Sequence, residues 1–260
     1  MQVYLIYAVI IFCANVVGSI AGMGGGVIIK PLLDLVGAHP LVQINFFSSV
    51  AVFTMAIFST YRQTKQGMQL NKRFALLISV GAVVGGWLGN STFNQLHLIL
   101  KNDALLNQIQ IGLTVLTLVF ALFYSLMPAV HFHWQRGDQL VLIGAFLGWI
   151  STLLGIGGGP INVALIMLCC SIPIREATSY SIVTILFSQL SKLMTVVATG
   201  AVVSFDLKAL WFVIPAAAIG GTVGAMFSHT IRAQQIELVY RFAIVGVIAI
   251  NLYNNYLLMA

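Results

Sequence analysis

Eight apolar runs, at about 3–36, 41–61, 74–93, 105–127, 139–170, 178–199, 208–231 and 236–258, take up most of the chain. Six of them are 20–24 residues long, the length a helix needs to cross a hydrocarbon core about 30 Å thick. Only 7% of the residues are charged, against roughly 25% in a soluble domain, so water-seeking groups cannot cover a surface of this size. The sequence predicts an all-α, polytopic, multi-pass protein of the cell (inner) membrane, with the bilayer as its solvent. The first run follows no basic residue and ends in no convincing cleavage site, so it reads as a retained segment. The net charge of +6 belongs to loops such as the one carrying Arg62, Lys65, Lys72 and Arg73. That is the pattern of a cytoplasmic loop and not of a nucleic-acid surface.

The other two runs, 3–36 and 139–170, would extend about 50 Å as straight helices, too long for one crossing and short for two. Each contains a triple glycine, in "GMGGG" (22–26) and "GIGGG" (155–159), where the helix must break. A shift of 133 residues lays Gly22, Gly24, Gly25 and Gly26 on Gly155, Gly157, Gly158 and Gly159, and also matches Pro40 with Pro173 and Ser48 with Ser181. After a two-residue slip, "GGWLG" (85–89) falls on "GGTVG" (220–224). The expected architecture is therefore about eight transmembrane segments in two homologous four-segment halves, 1–127 and 139–260, with the breaks in the first and fifth segments. Hydropathy leaves the relative orientation of the halves open: single crossings make them parallel, while a re-entrant element in each broken segment inverts them.

Non-helical backbone at membrane depth leaves polar groups unpaired, at several kcal/mol each, unless protein or a wet cavity satisfies them. Glycine lets a ligand approach the backbone closely, and Pro160 marks the start of a new helix. Two helix N-termini facing one another supply free N–H groups and partial positive charge, an anion site that needs no basic side chain. The soluble phosphate-binding signatures do not fit, because the third glycine of the dinucleotide pattern is missing and no Gly-Lys-Ser/Thr follows either triplet. Gly85, Gly86, Gly89, Gly220, Gly221 and Gly224 recur every three or four residues, as close helix packing requires.

Two copies of G-x-G-G-G, each opening one half of a chain this size, resemble the TauE/SafE family of membrane proteins. "GMGGGVIIKPLL" follows the first-half pattern, including Pro31, whereas the second copy carries Ala164 at the matching position and its proline at Pro160. The resemblance implies a transporter of sulfite, sulfonates or related sulfur-containing anions. It implies anionic cargo more firmly than any one sulfur compound.

Among residues inside the runs, Lys192 stands out, because a lysine at a helix centre costs about 3 kcal/mol and its run contains no acidic partner. It either meets cargo or snorkels to the interface. Lys30 follows Gly26 by one turn, and Asp34 is its alternative partner at i+4. His39, before Pro40, reads as a cap or interface residue. The matched stretches "NFFSS" (45–49) and "TSYS" (178–181) offer Asn45, Ser48, Thr178 and Ser181 as donors to cargo oxygens, with helix capping as the competing role. The candidate substrate-binding set is therefore Gly24, Gly25, Gly26, Asn45, Ser48, Gly157, Gly158, Gly159, Thr178, Ser181 and Lys192.

No metal-ligand cluster, paired carboxylates or Ser-His-Asp set can be placed, so neither an enzyme nor a resident cofactor or metal is expected. The three cysteines, Cys13, Cys169 and Cys170, have neither disulfide nor metal spacing. The function expected is a secondary transporter holding a small sulfur-containing oxyanion at midplane between the two breaks. An anion channel, a carrier of a non-sulfur anion and a membrane-embedded scaffold are the alternatives. The exact anion, the coupling ion and the oligomeric state, including a homo-oligomer, are left open by the sequence.

Overall fold

In the computed structural model, which describes residues 2–68, 70–127 and 132–259, ten α-helices follow one another. They are α1 (Gln2–Ala21), α2 (Gly26–Val36), α3 (Leu41–Lys65), α4 (Lys72–Leu100), α5 (Asp103–Leu126), α6 (Gly137–Leu153), α7 (Pro160–Cys170), α8 (Ile174–Ala198), α9 (Leu210–Thr230) and α10 (Ala233–Met259). Seven of the long helices are long and apolar enough to cross a membrane, and α6 is just shorter, at 17 residues. Large apolar side chains such as Leu76, Leu116, Trp211 and Phe242 point outward, a surface that only acyl chains would cover favourably.

Local chemistry sets the boundaries. Pro40 and Pro173, matched under the 133-residue shift, directly precede α3 and α8. Asn71 caps α4 by accepting from the N–H groups of Arg73 and Phe74. The half-helix α2 ends at Gly37 in the left-handed conformation, and α7 ends at Ser171 in the same region. Pro160 occupies the first turn of α7, as its fixed φ favours.

The contacts settle the orientation that hydropathy leaves open. The Tyr7 hydroxyl lies 2.9 Å from His39 Nδ1, so the chain has returned to the start of α1 by the end of α2. In the second half, Trp134 N donates to Cys169 O at 2.9 Å, bringing the end of α7 back beside the entry to α6. Each broken segment is thus a helical hairpin folded at its glycines. Gly81, Gly85 and Gly89 abut Val141, Ala145 and Trp149 in turn, so α4 and α6 run parallel. Phe12 against Gly220 and Val16 against Gly224 make α1 and α9 parallel too. The equivalent helices α3 and α8 are antiparallel: Lys192, late in α8, reaches Asn45, early in α3, while Val52 and Ile185 meet near the middle. The two halves have inverted topology.

The halves are also interlocked by small residues. An ideal Cβ on Gly85 would lie 2.0 Å from the Ala145 carbonyl oxygen, and one on Gly220 would lie 2.7 Å from that of Phe12. Gly86 and Gly221 press likewise on Ser188 and Met55, and Gly89 and Gly224 on Trp149 and Val16. Each of these contacts in one half has its counterpart at the matched positions of the other. Helix backbones this close gain dispersion contacts that no larger residue would permit.

Charge decides which face is cytoplasmic. The face holding the α3–α4 loop carries Arg62, Lys65, Lys72, Arg73, Arg136, Arg175 and Arg232, whereas the opposite face carries Lys101 and Lys208. The positive-inside bias puts the first face in the cytoplasm and both described ends of the chain outside. An alkaline phosphatase fused after residue 260 is expected to be active in bacterial cells, and green fluorescent protein fused there to be dark. Bright fluorescence would reverse this orientation.

Candidate functional site

The two hairpin tips meet at the centre of the molecule. A Cβ on Gly26 would fall 1.7 Å from the Ile156 carbonyl oxygen, and one on Gly24 3.5 Å from that of Gly157. From this point α2 runs to the outer face and α7 to the cytoplasmic face, so their N-termini, the positive ends of both helix dipoles, converge. The N–H groups of Gly24, Gly25, Gly26, Gly158 and Gly159 find no backbone acceptor among the described residues. The turns share a conformation: φ is +67° at Gly22 and +69° at Gly155, then +71° at Gly24 and +65° at Gly157. Side chains rarely adopt these values. The copies part at the third glycine, where Gly25 has φ of −70° and its match Gly158 has +124°. Positive φ is therefore required at Gly158 but not at Gly25, whose constraint is contact with Asn15 Oδ1.

Each break is embraced by the other half. Thr178 of α8 packs on Gly22, and its match Asn45 of α3 packs on Gly155. Ser181 donates its hydroxyl to the Gly22 carbonyl. Val52 and Ile185, also matched, pack against both tips, at Gly24 and at Gly157 and Gly158. All eleven sequence-predicted site residues are buried; the glycines, Asn45 and Thr178 meet at the tips, Ser181 is bonded to Gly22, and Lys192 to the Asn45 carbonyl. Their hydrogen bonds separate them: Thr178 spends its hydroxyl on the Arg175 carbonyl and Ser181 on Gly22, whereas Ser48 Oγ and both side-chain polar atoms of Asn45 have no partner among the described residues.

Lys192 is 4% exposed, which removes the snorkelling alternative. Its ammonium donates to the Asn45 carbonyl at 3.4 Å, and among the described residues no carboxylate is within ion-pair distance. The antiparallel register of α3 and α8, which pairs 45 with 192 and 52 with 185, also sets Ser48 level with Gln189. Gln189 is fully buried with neither amide atom partnered. Leaving such a group unsatisfied costs about 1–3 kcal/mol. Lys30 is accounted for otherwise, bonded to Asp34 at 3.2 Å and to Asn107 Oδ1 at 2.9 Å. His39 is an interface residue between Tyr7 and Asp206.

Sequence reasoning missed Asn15, Asn162 and Gln189, which are buried around the tips with unpartnered amide atoms. The signal was available, since each is an amide inside an apolar run. Their matched positions are Gly148, Ile29 and Ala56, so a search for polar residues repeated in both halves passes over them. Helix α10 holds both half-helices in place: Asn254 donates to the Pro31 carbonyl at 2.7 Å, and Tyr240 to that of Pro160 at 2.7 Å.

Convergent half-helix N-termini on hairpins of inverted topology are a transporter arrangement, and the sequence comparison agrees. Residues 7–253 match the family described as sulfite exporter TauE/SafE. The chain belongs to that family. This TauE/SafE protein is similar to the probable membrane transporter protein YunE of Bacillus subtilis, 24% identical over 93% of this chain and 94% of that one. It is also similar to a probable membrane transporter protein of Methanocaldococcus jannaschii, 25% identical over 66% of this chain and 64% of the other. No solved structure matches it significantly. The protein is a multi-pass membrane transporter.

Proposed function

We propose that this TauE/SafE protein is a secondary carrier of a small sulfur-containing oxyanion, held between the two glycine tips and exposed alternately to each side. The repeats 1–127 and 139–260 are the two halves of the carrier. The observation that carries the reading is Lys192, a buried lysine with no carboxylate at ion-pair distance among the described residues, beside unpartnered Asn45, Ser48 and Gln189. An oxyanion answers the cation and the unpartnered donors among these at once. Its charge offsets the ammonium, and its oxygens accept from the amide and hydroxyl groups and from the N–H groups of Gly24–Gly26, Gly158 and Gly159, with Gly157 shaping the turn. Thr178 and Ser181 shape the same crossing from the other half and fix the tip at Gly22.

The sulfur identity of the cargo rests on the family and is testable apart from the site. Purified protein is screened for thermal stabilisation by sulfite, thiosulfate, sulfate, sulfonates and carboxylates. A ligand at 100 times its dissociation constant stabilises by about 2.7 kcal/mol. Sulfite or a sulfonate is expected to raise the melting temperature and to drive saturable counterflow in vesicles. Stabilisation by carboxylates alone would replace the cargo class, and unitary conductance in a planar bilayer would replace the carrier with a channel.

A further inference from the structure

Inverted halves make a prediction about each face of the molecule: what stands at one mouth should have an equivalent at the other. The cytoplasmic face has a cavity of about 360 Å³ between the start of α4, the end of α7 and the start of α8, lined among others by Asn71, Arg73, Leu140, Ile172, Glu176 and Tyr180. Under the 133-residue shift, or the 135-residue shift that matches α4 with α9, these six fall on Asp206, Lys208, Tyr7, His39, Gln43 and Phe47. The equivalence extends to detail. Asn71 Oδ1 accepts from Arg73 N at 3.0 Å, and Asp206 Oδ1 accepts from Lys208 N at 3.1 Å.

The outer set is packed ring on ring, whereas the inner set lines the cavity, with Leu140 and Tyr180 themselves only 3% and 4% exposed. Tyr7 and Phe47 are fully buried, the His39 ring stands edge-on to Phe47 at 5.3 Å, and Phe205 packs on Phe46 at 4.7 Å. Asp206 binds this plug from the opposite half. It accepts from the Tyr4 hydroxyl and lies 3.7 Å from His39 Nε2. The Tyr4 hydroxyl, then the Lys208 N–H and His39, hold the Asp206 carboxyl below the ordinary carboxylate range. The plug sits one turn from Asn45, on the side of the glycine crossing where Lys192 lies.

We infer that the cavity around Arg73 and Tyr180 is the open cytoplasmic vestibule of the cargo path, and that the Tyr4–Tyr7–His39–Asp206 cluster is its shut outer gate. This assignment rests on the carrier reading above. Opening the outer face requires the loop holding Phe205 and Asp206 to separate from α1 and from the α2–α3 turn, while the matched segment around Asn71 closes on Leu140 and Ile172. Arg73, exposed at the vestibule rim, recruits anions from the cytoplasm.

The test uses the full chain with Cys13, Cys169 and Cys170 replaced by alanine. Ile172→Cys is expected to react with a membrane-impermeant thiol reagent from the cytoplasmic face only; labelling from the outer face, or from neither, would overturn the vestibule. In a Tyr4→Cys/Asp206→Cys protein, a short bifunctional methanethiosulfonate is expected to stop sulfite counterflow at least tenfold, reversibly on reduction. Stabilisation by sulfite should persist in the bridged protein, because the inner mouth stays open. Undiminished counterflow in the bridged protein would overturn the gate. If sulfite and the other sulfur oxyanions fail to stabilise the unbridged protein, the carrier reading fails instead, and the labelling result separates the two.

Discussion

Lys192→Met is expected to abolish sulfur-oxyanion transport while leaving a protein that inserts, folds and melts no lower than the parent. The position is buried in α8 against α3, and methionine has nearly the length of lysine without its charge. Removing a buried cation that lacks a carboxylate partner relieves desolvation in the empty protein, so stability is unchanged or rises. Bound cargo loses its charged partner. Breaking such a pair from one side costs about 3–5 kcal/mol, which is on the order of a hundredfold to several thousandfold in affinity. Lys192→Arg keeps the charge but brings a larger planar head into a packed crossing, and should retain part of the affinity. The measurements are the dissociation constant for sulfite and the melting temperature, side by side. A methionine variant that binds and transports normally would remove Lys192 from the site.

The same comparison shows where the halves have diverged. The position matched to Lys192 is Ser59, whose hydroxyl lies 2.8 Å from that of Ser19, and the position matched to Gln189 is Ala56. Cation and unpartnered amide therefore both lie on the outer side of the tips, whereas the cytoplasmic side has hydroxyls that are already bonded. On the proposed reading, a cargo anion would therefore meet Lys192 on one side only of the apolar pair Val52 and Ile185. Inverted topology does not imply symmetric energetics.

Most of the fold can be read in the sequence because a bilayer imposes it. Run length and the cost of unpaired backbone permit only helices here, and breaks can occur only where protein surrounds them. The 133-residue shift pairs Gly22 with Gly155 and Asn45 with Thr178, and these are the pairs that exchange contacts across the halves. Direction was not legible, since a helix and its reverse have the same hydropathy. The Tyr7–His39 contact and the stepwise packing of α4 on α6 supplied it. In the candidate site, the polar residues that sequence reading picks out are those repeated in both halves, whereas Asn15, Asn162 and Gln189, where only one half is polar, stay hidden. The packing glycines and the glycines of the tips also proved less distinct than their spacing implies. Gly25 and Gly26 are pressed as hard by neighbours as Gly86 and Gly221 are.

That overlap determines which glycine can separate binding from packing. Gly26→Ala is expected to prevent stable folding, because its methyl would sit 1.7 Å from the Ile156 carbonyl oxygen, and two backbones locked tip to tip have no flexible side chain to yield. Gly86→Ala and Gly221→Ala, at 2.6 Å and 2.8 Å from carbonyl oxygens of α8 and α3, should lose stability by a smaller step, on the order of 1–3 kcal/mol. Gly159→Ala is the informative change. Its φ of −171° is extended backbone open to any residue, and the nearest atom to an added Cβ is the flexible Ile156 Cδ1 at 3.2 Å. The fold should therefore tolerate alanine there with a loss below about 1 kcal/mol. If the N–H groups at the start of α7 hold the anion, however, the new methyl stands beside their approach, and affinity should fall at least tenfold. Melting temperature and dissociation constant for sulfite, measured on all four variants, separate the cases. An unchanged dissociation constant in a well-folded Gly159→Ala protein would show that the second tip packs and does not bind.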